Sequence, residues 1–288
     1  MDEITAVLRA RALVNKVAPG SLPVVLEPYA SEVDAKIKID KSLSDDEDGY
    51  SMQLPNGKFG ICVNGNQKPE RQRFTICHEL AHIVLGLPSD HAGSPSWSYS
   101  KRHPNEILCD VFAAELLLPY KLFKPFVDDA DYSLATISSL AGKFEASLLA
   151  TGSRFAALST IPCAFVLCEG DRIRYASRSG PLRDAKGWID LKGPIPDGSG
   201  AAASRNAGAE SAPDEVDADL WFADCMIDGS LIEDARYLAG YDQTVSLLWF
   251  EDLQNTRSEL ARTSRGVDVG GLSELDGILP WPGRSKRR

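Results

Sequence analysis

Residues 74–86 read Phe-Thr-Ile-Cys-His-Glu-Leu-Ala-His-Ile-Val-Leu-Gly, and within them His78-Glu79-x-x-His82 sets out chemistry the chain can do. On a helix, residues four apart lie on one face a turn apart, so both imidazoles can reach a single Zn²⁺. Glu79 then stands beside the metal, where a carboxylate can take a proton from an attacking water. Five residues match such a pattern by chance, so the setting decides. Phe74, Ile76, Cys77, Leu80, Ala81, Ile83, Val84 and Leu85 make the segment apolar on nearly every side, as in a buried helix. Gly86, Leu87 and Pro88 predict its C-terminal end. Polar groups embedded in such a helix need a compensating partner, and a metal supplies one. The plainer alternative is a structural helix whose histidines only hydrogen-bond.

A catalytic zinc needs a third protein ligand and an open position for water. One motif class takes a third histidine six residues after the second, with a glycine at the third. Leu85 and Pro88 occupy those positions, which excludes it. The other class takes a glutamate from a second helix, and residues 104–119, Pro-Asn-Glu-Ile-Leu-Cys-Asp-Val-Phe-Ala-Ala-Glu-Leu-Leu-Leu-Pro, fit that role. Pro104 suits a first helical turn and Pro119 marks an end. Glu106 is the expected ligand. Asp110, four residues on and on the same face, is expected to accept the other ring N–H of a ligating histidine and fix its tautomer. Ala113 and Ala114 allow close helix packing. Glu115 is the rival, but nine helical steps turn it to the opposite face. Asp90, His91 and His103 fall in the polar stretch 89–103, which reads as a loop with solvated side chains.

Taken together, Arg71-x-Arg73-Phe-Thr-x-x-His78-Glu-x-x-His82 and Glu106-x-x-Cys-Asp110-x-Phe-Ala-Ala-x-Leu-Leu-Leu-Pro119 resemble the ImmA/IrrE family of zinc metallopeptidases over roughly residues 1–155. The resemblance implies a zincin-like peptidase fold, with His78, His82 and Glu106 as Zn²⁺ ligands and Glu79 as catalytic base. It also implies an intracellular protease whose partner is a protein substrate. Several members cleave a helix-turn-helix transcriptional repressor and so derepress stress-response or mobile-element genes. Relatives also carry a helix-turn-helix-like unit where residues 133–158 lie.

Composition bounds the alternatives. The chain has 288 residues, 43% hydrophobic and 25% charged, ordinary for a globular protein of two modest domains. No apolar run approaches a membrane span, and the acidic start Met-Asp-Glu-Ile-Thr lacks a secretory layout, so a cytoplasmic location is expected. Cys62, Cys77, Cys109, Cys163, Cys168 and Cys225 form no C-x-x-C pair and are expected as free thiols. Cys77 and Cys109, one in each site helix, read as small buried hydrophobes; a redox or inhibitory thiol is the minor option. The net charge of −10 argues against a duplex-binding surface. Asp45-Asp-Glu-Asp48 reads as a solvated turn, and Arg284–Arg288 as a basic tail.

Along the chain, helical spacing covers 2–18, and short strands are expected at 23–27, 33–39, 50–54 and 58–63, the last two joined at Pro55-Asn-Gly57. The strand 59–64 precedes the zinc helix and is expected to edge the cleft. Gly60, Ile61, Cys62 and Val63 would then pair with an extended substrate by strand addition. Residues 133–158 read as two short helices round a turn. Lys143 and Arg154 are their only basic residues, which favours packing over DNA reading. Past Ile161, Cys163–Cys168 and Arg172–Ala176 read as a hairpin and 197–215 as a long mobile loop. Strand character returns at 216–223, 238–239 and 245–250, while 253–288 shows little periodicity. The resulting scheme is α+β. A zinc peptidase domain spans 1–158, and a small α+β domain spans 159–288, with sensing, partner docking or stability as its role. The competing functions are a DNA-binding transcription regulator with structural zinc, and the toxin or partner-binding half of a two-gene module. Donors for an oxyanion are sought among Tyr50, Tyr99, His103 and Tyr120.

Overall fold

The computed structural model describes residues 1–44, 46–88 and 103–251. The chain opens with α1 (Glu3–Val17), capped by the Asp2 side chain on Thr5 N and closed by Ala18 in a left-handed conformation. Helix α2 (Glu27–Glu32) leads into β1 (Ala35–Asp40), β2 (Gly49–Gln53) and β3 (Phe59–Asn64). These strands form a three-stranded sheet in the order β1-β3-β2, with β1 parallel and β2 antiparallel to β3. Next come α3 (Pro69–Leu85), which ends on left-handed Gly86, and α4 (Pro104–Leu117); the two pack together, and β2 and β3 lie on α3. Helices α5 (Tyr120–Asp128), α6 (Leu134–Phe144) and α7 (Leu148–Leu158) complete this half. Ser133 and Ser147 cap the last two.

The second sheet follows: β4 (Cys163–Glu169), β5 (Arg172–Arg178), then α8 (Gly180–Asp184), α9 (Gly200–Ala207), β6 (Asp214–Val216), α10 (Ala218–Trp221), β7 (Leu231–Leu238) and β8 (Gln243–Phe250). It is antiparallel throughout, in the order β5-β4-β8-β7-β6. Both faces are buried, which explains the unbroken apolar run in β4. Phe165 and Leu167, with Val245, Leu247 and Trp249 of β8, join the core that also holds α1, α3, α4 and α7. Ala164, Val166 and Cys168 turn to the other face, under Leu182, Trp221 and Phe222. One core cluster therefore runs across residue 158 from the helical half into the second sheet.

Four expectations need correction. Residues 23–27 form no strand; the chain there runs irregularly into α2. The stretch 197–215 is not a featureless loop, because Ser199 caps the helix α9, which stops at left-handed Gly208. Residues 218–221 are helical, capped by Asp217, where a strand was expected. Strand 59–64 is the middle strand of its sheet, bonded on both sides, so Gly60, Ile61, Cys62 and Val63 cannot take an added substrate strand. Expectations for Asp45, for 89–102, including Asp90, His91 and Tyr99, and for 253–288 fall outside the described residues.

Candidate metal centre

The 3.6-residue repeat places His78 and His82 on the α3 face that meets α4, and α4 presents Glu106 and Asp110 to them. His78 Nε2 lies 3.1 Å from His82 Nε2 and 3.1 Å from Glu106 Oε2, and His82 Nε2 lies 3.6 Å from Glu106 Oε1. Ligand atoms around a tetrahedral zinc with bonds of about 2.0–2.1 Å stand about 3.3 Å apart. The donor set thus matches one metal in both chemistry and spacing.

The outer atoms of the rings are held too. His78 Nδ1 faces Asp110 Oδ1 at 2.9 Å, and His82 Nδ1 faces the Leu87 carbonyl at 3.3 Å. With Nδ1 the donor in each ring, both Nε2 atoms are the basic nitrogens directed at the shared point. The Leu87 carbonyl is brought there because α3 ends on Gly86 at φ +67°, folding the next residue back. Burial opposes charging of His78, yet its hydrogen bonds to Asp110 and Glu106 carry its pKa up to about 10. His82 is shifted the other way, first by burial and then by the neighbouring His78 charge. Burial raises the Glu106 carboxyl, but the His78 contact outweighs it and the net shift is downward.

Glu79 is almost fully buried, and Ser51 Oγ of β2 donates to its Oε2 at 2.7 Å. Ser51 had no sequence signal, since its partner lies 28 residues away. The motif arginines are struts: Arg71 Nε bonds Asp48 Oδ1 at 3.1 Å and Arg73 Nη2 bonds the Val24 carbonyl at 2.7 Å. They tie the start of α3 to the chain ahead of β2 and to the segment before α2. A shallow cavity of about 140 Å³ opens beside His82, lined by Ser51, Met52, Gln53, Phe59, Ile83 and Leu87.

The rival Glu115 faces away from the metal centre. It receives Arg154 Nη2 of α7 and the Tyr120 N–H at 3.0 Å, and Arg11 Nε lies 3.4 Å away. Arg154 is wholly buried and Lys143 lies over the Phe126 ring at 4.3 Å, so both basic residues of α6 and α7 are engaged in packing. Of the described oxyanion-donor candidates, Tyr50 alternates to the face of β2 opposite Ser51, His103 caps α4, and Tyr120 sits under the Arg11 guanidinium at 4.7 Å. Cys77 and Cys109 are buried in the α3–α4 region as expected. Cys109 Sγ also lies within 4.8 Å of a ring nitrogen of each histidine. The Glu106 oxygens stand at ligand spacing, 3.1 Å from His78 Nε2 and 3.6 Å from His82 Nε2.

Residues 34–155 match the family model of the peptidase M78, IrrE N-terminal-like domain. The radiation response metalloprotease IrrE of Deinococcus radiodurans is 25% identical over 111 residues, which are 38% of this chain and 34% of that protein. The protein of the same description from Deinococcus deserti is 25% identical over 127 residues, 43% of this chain and 45% of its own. The matched stretch thus spans less than half the length of either relative. A solved structure described as a Mycobacterium tuberculosis transcriptional regulator aligns with a TM-score of 0.55 at 16% identity, covering 94% of this chain and 82% of that one. That likeness concerns the fold. Among the described residues no helix is long and apolar enough to cross a membrane.

Proposed function

The chain carries an ImmA/IrrE-family peptidase M78 domain at residues 34–155, and on that premise we propose that it is a zinc-dependent endopeptidase. The observation that carries the reading is the convergence of His78, His82 and Glu106 at 3.1–3.6 Å, with both Nδ1 atoms engaged elsewhere. Bound zinc would polarise a scissile carbonyl and acidify a water. His78, His82 and Glu106 would hold it, with Asp110 and the Leu87 carbonyl keeping the rings aimed. Glu79 takes the water proton and passes it to the leaving amine. Ser51 orients Glu79 by donating to Oε2.

The substrate is a protein segment entering extended along β2. That strand ends the sheet order β1-β3-β2, and its residues 51–53 border the cavity beside His82. Strand addition at β2 gives sequence-tolerant affinity through main-chain hydrogen bonds. The relatives are described as radiation response metalloproteases, and the corresponding substrate class is a helix-turn-helix repressor whose removal switches on stress genes. The burial of Arg154 and the charge of −10 favour a protein target over DNA.

The test is to sequence the neighbouring genes and assay cleavage of any small helix-turn-helix repressor they encode. Glu79→Gln should fold, keep its metal and lose about 10²–10⁴ in rate, the usual range for general-base catalysis. Equal cleavage by this variant would overturn the mechanism. Tight, steeply salt-dependent binding of the wild-type protein to duplex DNA would favour a regulator instead.

A further inference from the structure

A sulfur stands against the metal centre without a part in the chemistry above. Cys109 follows Glu106 by three residues on α4, so the two share a face. The side chain is fully buried and in no disulfide, and its thiol has no hydrogen-bond partner among the described residues. Its Sγ lies within 4.8 Å of a ring nitrogen of both His78 and His82. Those three ligands in one cluster, two imidazoles and a thiol, are a soft metal site in themselves.

Around a tetrahedral zinc, with Zn–S about 2.3 Å and Zn–N about 2.0–2.1 Å, sulfur and nitrogen stand about 3.6 Å apart. Sγ, within 4.8 Å of those nitrogens, therefore needs an approach of no more than about an ångström to enter the coordination sphere, and Glu106 is at ligand spacing. Both histidines and Glu106 stand at ligand spacing, with the sulfur beside them. With the sulfur in, two histidines, a carboxylate and a thiolate make four protein ligands, and no position is left for water. Closed sets of that kind belong to structural zinc, and open ones to catalytic zinc.

We propose that Cys109 is a fourth, displaceable ligand of the metal held by His78, His82 and Glu106, giving the centre a closed, sulfur-ligated resting form. The inference rests on the zinc reading above. Activation then requires Sγ to yield its place to water, and ions with a preference for sulfur are retained more firmly than zinc.

The full chain reconstituted with Co²⁺ alone tests this by absorption. Wild type and Cys77→Ser should bind one cobalt per chain and show a near-ultraviolet sulfur-to-cobalt charge-transfer band. Cys109→Ala should bind the same cobalt and lose the band. Should that variant misfold, cadmium NMR of the wild-type chain reads the same feature, as the downfield shift that a sulfur ligand causes. One cobalt per chain without the band, a band that survives in Cys109→Ala, or a cadmium shift typical of nitrogen and oxygen ligands alone would each overturn the sulfur ligand while leaving the zinc site standing. Failure of the wild-type chain to bind any metal would overturn both.

Discussion

The buried pair Arg154–Glu115 supplies a stability test with its magnitude set by its surroundings. Arg154 is 0% and Glu115 1% exposed, and the pair links α7 to α4, the helix that also carries Glu106. Removing one partner of a buried pair costs about 3–5 kcal/mol, because the other charge is left without compensation. The two directions are not equivalent here. In Arg154→Met, Glu115 still has the Tyr120 N–H at 3.0 Å and Arg11, only 27% exposed, at 3.4 Å; the loss belongs at the low end, about 3 kcal/mol. In Glu115→Leu, Arg154 keeps, among the described residues, only the Leu118 carbonyl, at 3.2 Å from Nε; the loss belongs at the high end, about 5 kcal/mol. At about 2 °C per kcal/mol for a chain of this size, Tm should fall by about 6 and 10 °C. The double variant Glu115→Leu/Arg154→Met removes both charges and should recover most of the loss. Urea and thermal unfolding followed by circular dichroism measure all three. Single variants within about 1 kcal/mol of wild type, or a double variant showing the sum of the two losses, would refute the reasoning.

Asp110→Ala frees the His78 ring to turn and should weaken zinc binding by about 10–100-fold in competition with a chelator, with the fold intact. An unchanged affinity would remove Asp110 from the site. Gly152→Ala places a methyl 2.4–2.6 Å from the Phe165 ring, where α7 crosses β4, and should cost about 1–3 kcal/mol in urea unfolding as overpacking. An unchanged midpoint would show that the ring can move aside.

What was legible in the sequence was what is local. The histidine pair, its glutamate neighbour, the Gly86 stop and the Glu106–Asp110 face follow from a 3.6-residue repeat and helix-end signals, and the structure brings those residues together. Strand order was not legible, because pairing is settled between segments far apart. A signal was nonetheless present in Phe59-Gly-Ile-Cys-Val63: a nearly continuous apolar run belongs to an interior strand, whereas the more polar Gly49–Gln53 suits an edge. The stretch 197–215 reads as a loop on its Gly, Ser and Pro content, but its punctuation spells a helix. Ser199, an alanine-rich run and Gly208 are a cap, a body and a stop. Arg154 looked like one of two cations on a helical pair, and only its partner, 39 residues earlier, explains it. Ser51, the Leu87 carbonyl and the approach of Cys109 to the histidines depend on the packed geometry.

The proposed chemistry depends on His78, His82 and Glu106 holding one metal ion. Metal analysis of the purified, zinc-reconstituted chain beside His82→Ala and Glu106→Ala, each checked for folding, tests it directly. One zinc per chain is expected in the wild type, with strong loss in both folded variants. A wild type that binds no zinc, or a folded His82→Ala that retains it fully, would rule the site out.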